Sequence, residues 1–196
     1  MSLILAPSDI TPAKGLALNV DLVKARSKFE SNGKSIIAMA NFRLKKTPFK
    51  IKMDGELSTD GINVQTFGEG KNAKMNYSFG FVLLNSDDMA AFDAFQTLVD
   101  ETAPEDYESS PIMKEEVLYI KLKTKDGKRF NCFSNVKIDP KKSQEAALYN
   151  GQKVSVTAEV NAWFNVEDKK AGVTFNVTKL EFEVEDEAPP AKKVKV

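Results

Sequence analysis

The sequence predicts a mainly β fold, a small barrel with a few short helices, and three observations carry that expectation. Apolar and polar residues alternate over long runs, the period of a strand with one buried face. Runs of helical period are few and do not alternate with strands in the βαβ manner of a parallel sheet. The apolar parity of the last run switches near Thr178-Lys179, as a bulge or bend at a barrel corner would produce.

Taken in order, residues 35–43 follow an Asn32-Gly33 turn signal and read as a strand closing a hairpin with the segment before it. Phe49, Ile51 and Met53 alternate with Lys50 and Lys52, a half-buried strand with a basic outer face. Residues 62–67 form the next strand, and Met75, Tyr77, Phe79, Phe81 and Leu83 share one face of another. The period then becomes helical. Asn85 or Ser86 caps a helix with Asp87 and Asp88 in its first turn and Met89, Phe92, Phe95 and Val99 on its apolar stripe. Pro104 ends it, and its aromatics read as core that covers one end of the barrel.

Residues 117–134 read as a hairpin around Asp126-Gly127. A two-residue loop would set Phe130 against Lys123 and mix the faces. A three-residue loop keeps Phe130 and Cys132 with Leu118, Ile120 and Leu122, and sends Arg129 and Phe133 to the side of Tyr119, Lys121 and Lys123; this register is the one expected. Residues 141–149 give a short helix closed by Asn150-Gly151. Two long strands follow, from Val154 to Phe164 and from Val173 to Val184. The domain thus covers 1–184 with an N-terminal extension, and 185–196 is a tail, acidic and then basic, too polar to pack.

Composition narrows the function. The chain has 196 residues, 42% of them hydrophobic and 29% charged, ordinary for one globular domain. No stretch reaches the length of a membrane span, and the first ten residues lack the basic start of a signal peptide, so an intracellular protein is expected. The count of histidines is 0 and of cysteines 1, which removes the common general base, the common zinc ligand and any internal disulfide. Gly68-Glu69-Gly70-Lys71 lacks the spacing of a phosphate loop. No metal site, cofactor or enzymatic activity is expected.

The formal charge is +0, but it is segregated. Residues 43–52 and 121–142 are rich in lysine and arginine, whereas acids cluster over 87–116 and 181–187. A local basic groove is compatible with this pattern.

Three stretches in order resemble the single-stranded DNA-binding proteins of large eukaryotic DNA viruses, themselves similar to those of the T-odd phages. They are Asn76-Tyr77-Ser78-Phe79-Gly80-Phe81 with the helix after it; Tyr119-Ile120-Lys121-Leu122-Lys123 with Asp126-Gly127-Lys128; and Gly151-Gln152-Lys153-Val154 leading to Trp163 and to Lys170-Ala171-Gly172-Val173-Thr174-Phe175. The resemblance spans about residues 42–184. It implies an OB-fold, a five-stranded barrel with added strands and a helix between strands. It also implies sequence-independent binding of single-stranded DNA in replication, recombination or repair, and contacts with replication proteins such as a polymerase or helicase. The phage relatives end in an acidic tail with a terminal aromatic residue. This chain instead ends Lys192-Lys193-Val194-Lys195-Val196, a basic tip that either resembles a nuclear-import signal, with the host nucleus or a viral replication site as the expected place, or is simply a solvated end.

Single-strand binding needs cations along the phosphates and exposed aromatics on which bases stack. Tyr119, Lys121, Lys123, Arg129 and Phe133 supply both from one expected sheet face, with Lys50 and Lys52 extending the basic track and Lys153 and Trp163 sharing a strand face nearby. Each has a plainer alternative. Tyr119 could be a wet surface aromatic, Phe133 could pack under residues 141–149, Trp163 could cap the core, and the lysines could be a solvated strand face. A structural or scaffolding β-protein is the rival reading. A barrel edge near Met53 or Met75 would allow a homodimer.

Overall fold

The alternating runs become a mixed sheet of 11 strands, with a separate two-stranded ribbon, in the computed structural model. It describes residues 3–11, 14–34, 36–58, 63–67, 74–85, 88–122, 124–125, 128–129 and 150–182. In chain order these form β1 (Leu3–Leu5), β2 (Leu16–Leu18), α1 (Leu22–Asn32), β3 (Ile37–Leu44), β4 (Thr47–Leu57), β5 (Asn63–Phe67) and β6 (Lys74–Leu83). After α2 (Met89–Thr102) come β7 (Glu108–Ser109), β8 (Met113–Lys114), β9 (Val117–Leu122), β10 (Thr124–Lys125), β11 (Lys128–Arg129), β12 (Lys153–Asn165) and β13 (Lys170–Phe182).

Five of these strands close a ring of pairings. β4 pairs with β6, β6 with β9, β9 with β13, β13 with β12, and β12 with β4. Numbered along the chain, the ring runs first, second, third, fifth, fourth; its one parallel pair joins third and fifth. This is the order of an OB-type barrel. The closing contact between β4 and β6 is short, from Gly55–Leu83 to Leu57–Phe81. A glycine is needed at its start, because a Cβ on Gly55 would collide with the Phe81 ring and the Val82 carbonyl oxygen.

β12 is long enough to serve two neighbours along one edge. Lys153–Glu159 pair with β4, and Asn161–Asn165 pair with β3. The parity switch is where the sequence placed it. Thr157 faces Lys179 while Ala158 faces Val177, so Thr178 is the extra residue of a bulge. Its hydroxyl donates to the Thr157 carbonyl at 3.1 Å.

The inward residues of the ring meet α2. Phe95 is fully buried, with its ring 4.7 Å from Phe42 and 6.4 Å from Phe175, and Phe92 lies 5.3 Å from Phe175 edge-on. The stripe of Phe92, Phe95 and Val99 is core, as its period required. The helix begins later than expected, at Met89 with Asp88 in the capping position.

Two expectations need correcting. Asn32-Gly33 is no hairpin turn: it ends α1, with Gly33 in the left-handed conformation at φ 60° and donating to the Phe29 carbonyl. Asp21 caps the start of that helix by accepting from the Lys24 amide at 2.9 Å. The ribbon near Asp126 takes the two-residue register, because Thr124 pairs with Arg129 and Lys125 with Lys128. Two-residue loops match the twist of the strands they join. Met53 pairs with Val156 of β12 and Met75 with Thr66 of β5, while the pairings of β4 with β6 and of β6 with β9 begin only at Gly55 and Tyr77. β1, at the N-terminus, adds to β4 in parallel, a strand the sequence did not suggest. The expected helix at 141–149 and the tail lie outside the described residues.

Candidate nucleic-acid interface

Parity along β9 decides the outer face. Leu118, Ile120 and Leu122 are buried, so Tyr119 and Lys121 point out. Tyr119 stands opposite Gly80 of β6 and is 47% exposed, which leaves it accessible to a ligand. An open groove of about 450 Å³ begins there, lined by Tyr119, Ser78, Lys114, Asn63, Val64 and Gln65. Lys121 follows two residues on, opposite Ser78. Its side chain is exposed by area, yet the surrounding atoms desolvate the ammonium and hold its pKa below the ordinary lysine value. An anion beside it would stabilise the charged form.

The groove lies on the second and third strands of the ring, beside the connection between the first and second. In OB-type barrels these are the surfaces that take oligonucleotides. Asn63, Ser78 and Lys114 were not anticipated from the sequence. Ser78 follows from the parity of β6, but Lys114 sits among acids and is brought to the groove by the β8–β9 pairing.

The remaining expected residues fall into separate places. Lys50, Lys52 and Lys153 share the outer face of β4 and β12, but that face is a mixed strip and not a basic track. Lys50 lies 3.8 Å from Glu159, and Lys153 stands opposite Glu56. Lys52 stands opposite Thr157, whose other neighbour is Lys179. Lys179 in turn donates to Glu181 at 2.5 Å, and with help from Lys52 this holds the Glu181 carboxyl below its usual range. Asp54 accepts from the Ser155 hydroxyl in the same strip.

Trp163 is half-buried on the outer face of β12, between Met39 of β3 and Gly172 of β13. Arg129 stands across from Thr124 and not from the lysine positions, so its expected place beside Tyr119 is not supported by the ribbon register. Lys123 and Phe133 lie outside the described residues. Among the described residues no group of three or more acids, histidines or cysteines is placed to hold a metal ion.

No protein-family model matches the chain, and neither a curated protein nor a solved structure matches it.

Proposed function

We propose that this protein binds single-stranded DNA without sequence preference, through the groove at Tyr119, as a protein of viral DNA replication, recombination or repair. The observation that carries the reading is the coincidence on one open face of an exposed aromatic, Tyr119, with Lys121 and Lys114 and with amide and hydroxyl side chains at Asn63, Gln65 and Ser78. The aromatic offers a π-face to any base, the lysines meet phosphates, and the polar groups take sugar or base edges without fixing a sequence. The mixed strip of Lys50, Lys52 and Lys153, taken alone, fits the rival reading of a structural protein, because its charges are matched and no aromatic stands among them.

Fluorescence anisotropy of a labelled oligonucleotide, titrated at two salt concentrations beside a duplex competitor, separates the two. Salt-sensitive binding that prefers the single strand is expected, and Tyr119→Ala should weaken it about five- to a hundred-fold. Failure to bind at low salt would leave the structural protein as the better account.

A further inference from the structure

The Tyr119 groove leaves unexplained a second surface on the far side of β13. Trp163 is held flat there by its neighbour. A Cβ built on Gly172 would stand 2.9 Å from indole Cζ2 and 3.1 Å from Nε1, so the ring rests directly on the glycine backbone. Opposite it across β3 stands Met39, 54% exposed, with Ile37 two residues away at 56%. Beyond them opens a groove of about 350 Å³ between α1 and β3, which Met39 and Ile37 line from one side and Lys24 and Lys28 from the other. The two lysines are one helical turn apart and therefore on one face of α1. Both are exposed, and among the described residues neither joins an ion pair. Asp21, the acid on this groove, is engaged in capping the helix.

We infer that this surface is a second contact for the same nucleic-acid strand, with a base stacked on Trp163 and Met39 and phosphates met by Lys24 and Lys28. The inference rests on the proposed function. Apolar Ile37 and Met39 alone would suit a protein partner; two lysines without an ion pair among the described residues, across Met39 from a flat aromatic, favour a polyanion that carries planar groups. Position agrees. Tyr119 and Trp163 both point outward from the ring, on β9 and β12 with β13 between these strands. At roughly 4.8 Å between strands and 3.3 Å per residue, they are about 12 Å apart, which one strand could bridge with few nucleotides.

Trp163 is the chain's 1 tryptophan, so its emission reports this surface alone. The full chain would be titrated with oligothymidylate, following that emission together with the anisotropy of an end label. Binding should quench Trp163. Trp163→Ala should weaken binding about five- to a hundred-fold, with Trp163→Phe restoring most of it. Lys24→Ala with Lys28→Ala, on an exposed helix face, should reduce the slope of log K against log salt by about 1.4, or 0.7 for each phosphate lost. Binding that leaves the emission and the salt slope of the lysine variant unchanged overturns the second contact while the Tyr119 groove stands. An oligonucleotide that does not bind at all overturns both.

Discussion

Two glycines in strand interiors show how one residue type serves opposite ends. Gly55 gives way to Phe81 where the ring closes, so Gly55→Ala is overpacking in the core and should cost about 1–3 kcal/mol, read as a lower urea midpoint. Gly172 gives way to an indole at the surface, where a displaced ring can move into solvent. Gly172→Ala should keep the unfolding midpoint, shift Trp163 emission and weaken oligonucleotide binding; an unchanged affinity would mean that the flat ring does not matter. Neither role was legible in the sequence, because each depends on which residue of another strand stands opposite. Lys121 was legible, from parity alone. Its cost was not. Desolvation sets its folded pKa below the unfolded one, so the fold gains stability as pH rises from the former toward the latter, and at neutral pH the charge works against folding. Lys121→Met should therefore keep or raise the urea midpoint while weakening oligonucleotide binding.

The elements differ in how loudly they announce themselves. α2 carries an apolar stripe of aromatics and was found from its period. Phe95→Ala should cost about 3–5 kcal/mol, since Phe95 is buried among Phe42, Phe49, Phe92 and Phe175. α1 buries only Ala25 fully, so no apolar period marks it, and its signals are the two ends, Asp21 and Gly33. A terminal Asn-Gly pair reads equally well as a hairpin turn, which is how the helix was lost, and Lys24 and Lys28 with it. Such a helix depends on its cap. Asp21→Ala should destabilise it by about 1 kcal/mol, visible as faster amide exchange over 22–32 with little change in the sheet. The long strands β12 and β13 were the most legible elements, down to the bulge at Thr178, because a buried face forces its own register.

Across the whole molecule, alternation gave the number of long strands but not their neighbours. Lys50, Lys52 and Lys153 looked like an extension of the Lys121 face until the ring order set them beside Glu159, Thr157 and Glu56, two strands away from β9. This separation governs how the protein should respond to salt. With a formal charge of +0 there is no net monopole to draw DNA from a distance, so electrostatic attraction must come from local clusters with few acids in reach. The two grooves offer Lys114 and Lys121 at one and Lys24 and Lys28 at the other. Four phosphate contacts at about 0.7 each predict a slope of log K against log salt near −2.8. Anisotropy titrations over a range of salt would measure it directly. A slope near zero would mean that stacking acts without phosphate contacts and would remove both grooves as anion tracks. A slope about twice as steep would bring in the lysines of the mixed strip or of residues 123–142, and the division of charge between the two faces would have to be redrawn.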